Sequence, residues 1–151
     1  MKHIKLFLSL TLFLSGFAMA QDQGIGVGLS TRGLEGKYWM DGETSVTLSL
    51  SASSIAADYL FNMPDLVKLT DNPTPVYYGG GLIIGTHEEW DSEEMDDVTK
   101  LDLGARGVIG IAYYFSGMPL EIYFLDTPTL YLMGGKGLNL FEGSLGIRYF
   151  F

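Results

Sequence analysis

Ser144-Leu145-Gly146-Ile147-Arg148-Tyr149-Phe150-Phe151 alternates without a break. In an extended strand successive side chains point to opposite faces. Leu145, Ile147, Tyr149 and Phe151 therefore share one face, and Gly146, Arg148 and Phe150 share the other. The apolar row finishes on an aromatic. A soluble sheet rarely ends by exposing one, whereas a strand whose outer face meets lipid does so readily, because aromatics sit well at the membrane interface. The stretch predicts a lipid-facing strand.

The same two-residue period recurs upstream. Residues 24–30 place Ile25, Val27 and Leu29 on one face and Gly24, Gly26 and Gly28 on the other, a glycine row that suits a narrow lumen. Residues 34–40 form a weaker strand with Glu35 and Lys37 inward, and Asp41-Gly42 after it signals a tight hairpin turn. Residues 44–51 and 55–61 follow, with Asp58 turned inward. Residues 62–74 read as a connection with a helical turn near Leu66, and 76–86 as a strand. An acidic loop spans 87–98. Residues 99–115 carry the cleanest alternation, with Leu101, Leu103, Ala105, Ile109, Ile111, Tyr113 and Phe115 outward and Lys100, Asp102 and Arg106 inward. Residues 120–132 return with Glu121 inward; Asp126 breaks the parity, and Pro128 beside it predicts a bulge that re-aims Asp126 into the lumen. Residues 134–137 make the last turn, and 138–151 close the chain.

These are eight strands, an even number, as bacterial membrane barrels require. The expected fold is all-β, an eight-stranded antiparallel up-and-down transmembrane β-barrel. The rival is a soluble periplasmic β-sandwich or lipocalin-like barrel, with apolar residues inside. Glycine beside the charged row, the very apolar opposite row of residues 101–115 and the aromatic Phe151 decide for membrane. Walking back from Phe151 puts the acidic loop outside and the turns at Asp41 and Ser116 on the periplasmic side. The 62–74 connection also falls on the periplasmic side and is long for that position.

Residues 1–20 read as a signal peptide: Lys2 and Lys5 at the start, a short apolar run, and Ala18-Met19-Ala20 as a small-x-small cleavage site. Residues 21–151 are then the barrel domain, exported through the periplasm to the outer membrane of a Gram-negative bacterium. Cleavage leaves seven basic residues against eighteen acidic ones, a net charge of −11, which argues against nucleic acid as a partner. The chain has no cysteine, which removes disulfides, thiol catalysis and thiolate metal sites.

Ser144, Gly146, Tyr149 and Phe151 fill the positions of a pattern that resembles the assembly signal of bacterial outer-membrane β-barrels. Gly36-Lys37-Tyr38-Trp39, Asp58-Tyr59-Leu60 and Tyr77-Tyr78-Gly79-Gly80-Gly81 are similar to stretches in the OmpA/OmpX-like group of small eight-stranded barrels and related uncharacterised barrels. The resemblance implies outer-membrane lipids and lipopolysaccharide as surroundings, the barrel-assembly machinery as a partner during biogenesis, and a monomer. It carries no activity to transfer.

Candidate chemistry is sparse. His87, in Thr86-His87-Glu88-Glu89-Trp90, has the side chain of a general base or metal ligand at the outer rim, but no patterned serine or second histidine accompanies it, and a strand-end loop residue is the simpler reading. Glu88, Glu89, Asp91, Glu93, Glu94, Asp96 and Asp97 match no ordered calcium loop and read as a solvated acidic run. Glu35, Lys37, Asp58, Lys100, Asp102, Arg106, Glu121 and Arg148 form the expected polar network of the lumen, which an eight-stranded barrel can fill with side chains. A last hairpin centred on 134–137 places Arg148 opposite Tyr123, with Glu121 one inward position away. No catalytic, cofactor or metal site is expected. The function read from sequence is structural, adhesive or surface-interacting, with a lipid A-modifying enzyme or a narrow channel as alternatives.

Overall fold

The computed structural model describes residues 24–67, 72–91 and 96–151. Ten strand segments occur in chain order: β1 (Ile25–Ser30), β2 (Gly33–Trp39), β3 (Thr44–Leu50), β4 (Ser54–Val67), β5 (Thr74–Asp91), β6 (Asp96–Tyr114), β7 (Leu120–Asp126), β8 (Thr129–Met133), β9 (Leu138–Asn139) and β10 (Ser144–Phe150). Each of β1 to β5 pairs antiparallel with the next, β5 pairs with β6, β6 with both β7 and β8, β7 with β10, and β10 with β1. The ladder returns on itself. β7 and β8 form one stave and β9 and β10 another, so the fold is a closed eight-stranded antiparallel β-barrel, and among the described residues sheet edges remain only at the upper rim, on β9 and on the extensions of β5 and β6. The signal-peptide reading falls outside the described residues.

Alternation decides which side chain goes where. Inward rows are Glu35, Lys37 and Trp39 on β2, Ala56, Asp58 and Leu60 on β4, Asp102, Arg106 and Val108 on β6, and Ser144, Arg148 and Phe150 on β10. Outward rows are apolar: Leu29, Leu48, Ile55, Leu82, Ile109, Phe124 and Ile147 are all exposed. Among the described residues twenty-nine large hydrophobic side chains are exposed and ten hydrophobic ones, two of them alanine, are buried. The barrel thus reverses the polarity of a water-soluble one.

The two rims differ. The upper rim carries the β1–β2, β3–β4, β5–β6 and β8–β9 connections. The lower rim carries the β2–β3, β4–β5 and β6–β7 connections and Phe151. Near the lower rim the outer face is aromatic: Phe61 stacks on Tyr78 at 5.5 Å, and Tyr59–Phe61, Tyr113–Phe115 and Tyr149–Phe151 meet edge-on at 5.1–5.3 Å. The lower-rim turn at Asp41 is fixed by its carboxylate, which accepts the backbone N–H groups of Glu43 and Thr44 at 2.9 and 2.6 Å. Those two donors hold the Asp41 carboxyl below its ordinary range.

Several expectations need correction. The 62–74 connection is mostly strand: β4 runs on to Val67, with a bulge between Met63 and Val67, and β5 starts at Thr74. Leu66 and Val67 therefore lie in a strand, not a helical turn, and Lys68 and Leu69 lie outside the described residues. Most of the acidic loop is also strand, since the β5–β6 ladder continues to Asp91↔Asp96; Glu93 and Glu94 lie outside the described residues. Pro128 produces no bulge. Ile109↔Asp126 and Arg106↔Thr129 keep one register, with the Pro128 carbonyl accepting Gly107 N–H at 2.8 Å. Proline only removes a donor, so the ladder skips a bond without shifting. The register shift falls instead between Leu103 and Gly104. Asp126 is half-buried and accepts the Glu142 backbone N–H at 2.7 Å, which ties down the irregular stretch between β9 and β10.

Candidate functional site

The barrel interior holds seven buried charged residues, Glu35, Lys37, Asp58, Asp102, Arg106, Glu121 and Arg148. Charges stay buried only when paired or hydrogen-bonded, and β-register sets one of the pairs directly. Arg148↔Glu121 is a direct cross-strand pair, and Arg148 Nη1 donates to Glu121 Oε1 at 2.9 Å. Arg148 Nη2 donates to Glu35 Oε2 at 3.0 Å, and the Tyr123 hydroxyl donates to the same oxygen at 2.7 Å. The Arg148 guanidinium also lies 4.1 Å from the Tyr123 ring centroid, adding a cation–π contact. The expected register of the last hairpin was two residues off: Arg148 faces Glu121, not Tyr123.

Lys37 is buried beside Trp39 and Tyr77, its Nζ 4.4 and 5.1 Å from their ring centroids, and it donates to Asn62 Oδ1 at 3.3 Å. A second ion pair lies toward the upper rim. Arg106 Nε and Nη2 grip both oxygens of Asp58, the Nε bond at 2.7 Å, and Thr47 donates to Asp58 Oδ2 at 3.1 Å. A bidentate guanidinium–carboxylate contact fixes geometry as well as charge. Below these charges, Trp39, Tyr77, Tyr114 and Phe150 are 0–6% exposed and fill the lower lumen.

Lys100 does not join this network. Its side chain is 47% exposed and pairs with Glu89 at 2.6 Å, above the level at which the wall closes around it. Parity gave its face correctly, but β5 and β6 extend past their neighbours there: β4 begins at Ser54, opposite Gly85.

The upper mouth forms a cavity of about 230 Å³, lined among others by Arg32, Ser54, Asp102, Tyr131, Lys136 and Glu142. Asp102 is 2% exposed; its oxygens lie 2.9 Å from His87 Nδ1 and 2.6 Å from Lys136 Nζ. Across the strands, Arg32 Nη2 pairs with Glu142 Oε1 at 2.8 Å, while Nη1 donates to Thr127 Oγ1 at 2.7 Å and to the Glu142 carbonyl at 3.1 Å. Sequence reasoning placed His87 and Asp102 separately and missed Arg32, Lys136 and Glu142. The β5–β6 register makes His87 and Asp102 diagonal neighbours on one face, since Gly85 is opposite Asp102 and His87 opposite Lys100. Arg32, Lys136 and Glu142 sit in turns and irregular backbone, where alternation carries no information. Among the described residues no group of three or more histidine, aspartate or glutamate side chains could hold a metal ion. No family model, curated protein or solved structure matches this chain.

Proposed function

We propose that the chain is a small outer-membrane β-barrel with a structural or surface-interaction role, its upper rim facing the exterior. One observation carries this: seven charged side chains are buried in the lumen while the outer wall is apolar on every stave. Water would drive such a wall to associate, whereas a bilayer solvates it. The closed ladder satisfies the backbone groups, as a membrane demands. The aromatic belt at the lower rim supports its placement at a membrane interface. The lower lumen is filled by rings and the middle by paired charges, which favours a structural barrel over a channel.

The purified barrel should need detergent or lipid to stay dispersed, and should migrate at different apparent masses boiled and unboiled. A monodisperse, detergent-free monomer with a sharp thermal transition would refute the membrane reading.

The reading extends to biogenesis, with Ser144, Gly146, Tyr149 and Phe151 recognised by the barrel-assembly machinery. Phe151 packs on the outer row, its ring 5.1 Å from that of Tyr149, and its backbone N–H bonds to the Ile25 carbonyl at 2.9 Å. Phe151→Ala keeps that backbone bond and the lumen. It should lower the amount of barrel assembled in cells, by membrane fractionation, with near-normal refolding into detergent in vitro. Equal membrane levels for both forms would remove Phe151 from the signal.

A further inference from the structure

We propose that the upper-mouth cavity is a receptor for an alkylammonium ligand, and that Lys136 occupies its ammonium seat as a tethered stand-in. The proposal rests on the upper rim being open to the exterior. Asp102 is the starting point. It is 2% exposed, and a carboxylate so placed demands a cation. The wall supplies no permanent cation: Arg106 is committed to Asp58, Arg148 to Glu121 and Glu35, and His87, with Nδ1 2.9 Å from Oδ1, is charged only when protonated. The cation comes from a loop, with Lys136 Nζ at 2.6 Å from Oδ2.

That loop is built to release it. Lys136 stands among Gly134, Gly135 and Gly137, whose φ angles are +96°, +82° and +66°. Gly134 packs directly on Asp102, but a side chain added at Gly135 or Gly137 would meet nothing within 4 Å, so the tip on either side of Lys136 is unpacked. Lys136 is 37% exposed and can swing into water; Asp102 cannot follow. Lys136 Nζ also sits 5.2 Å from the Tyr131 ring centroid. A buried carboxylate beside an aromatic face is a recognition set for an alkylammonium. Glu142, 27% exposed, lines the same cavity but is held by Arg32 at 2.8 Å, which leaves Asp102 as the anionic seat. Ser51, Ser53 and Ser54 line it too and offer hydroxyls. The acidic chain, at −9 overall, concentrates alkylammonium cations near its surface.

The test is calorimetric titration of the barrel, refolded in detergent micelles, with putrescine and with spermidine at fixed ionic strength. If Lys136 holds the seat about nine-tenths of the time, Lys136→Ala binds about tenfold more tightly than the parent chain. Lys136→Met, which keeps the stem and removes only the charge, should do the same. Asp102→Asn should lose binding by tenfold or more. Unchanged or weaker binding in both lysine variants would overturn the proposal. So would full binding by Asp102→Asn, or an equal response to sodium chloride, which would mean simple screening. Unboiled gel mobility monitors folding of every variant. A parent chain with no heat-modifiable form would fail the membrane reading instead, and binding by it would leave the receptor standing.

Discussion

Arg148→Met should be among the most destabilising single changes in the lumen, costing roughly 3–5 kcal/mol in reversible urea unfolding from lipid vesicles. Arg148 is 2% exposed and Glu121 0%. Removing the guanidinium leaves Glu121 and Glu35 with the one cation between them gone. Methionine fills much of the volume, so the loss reports charge and hydrogen bonding, not a cavity. Glu121→Gln should cost less, because the amide oxygen still accepts from Nη1 and Glu35 still neutralises Arg148. The double variant should lose less than the two singles together, with a coupling of about 1–3 kcal/mol. Additive losses would mean that the two side chains do not meet.

The same cluster separates roles within the lumen. Glu35 accepts from both Arg148 and Tyr123 and so joins three staves, β2, β7 and β10. Asp58 and Arg106 join β4 and β6. These links cross the lumen where the ladder cannot. Each buried cation in them has a carboxylate partner, which is what lets charged groups replace an apolar core. At the upper mouth the pairing changes character: Arg32, Lys136 and Glu142 are all partly exposed, and only Asp102 is buried. A buffered interior beneath an adjustable rim fits a fold that keeps its wall rigid and places recognition at its end.

The staves and their facing were legible because a two-residue period is visible wherever one face is apolar. Glu35, Lys37, Asp58, Asp102, Arg106, Glu121 and Arg148 are inward by parity alone, and all seven are buried. Register was less legible, because it depends on where each turn is centred. The last hairpin pairs Leu130 with Leu138 but Leu125 with Ser144, so residues 140–143 carry one extra residue, and no period announces that. Hairpin length was hidden for a related reason. Met63, Leu66 and residues 87–91 look like loop by composition, yet once a hairpin has started, cross-strand bonding extends it beyond the barrel body. The mouth escaped sequence reading because its pairs join turns from distant parts of the chain, as in Arg32–Glu142.

One packing rule of the lumen was half visible, and it yields the second large effect. Three inward rings each lie over the glycine directly opposite on the neighbouring strand: Phe150 over Gly26, Tyr77 over Gly110 and Tyr123 over Gly146. A methyl at Gly146 would run into the far edge of the Tyr123 ring. That ring cannot simply lift, since its hydroxyl is bonded to Glu35 and its face carries Arg148. Gly146→Ala should therefore cost about 1–3 kcal/mol by urea unfolding in vesicles, although it adds a single carbon. Gly36 is the matched control. It lies outward on β2, and a methyl there would meet nothing closer than 4.0 Å. Gly36→Ala should be neutral or stabilising by up to about 1 kcal/mol, since strand glycine sacrifices backbone entropy. A Tyr123→Ala background removes the ring, and Gly146→Ala should then cost almost nothing further. An undiminished loss in that background would place the strain in the β10 backbone and dissolve the ring-over-glycine account.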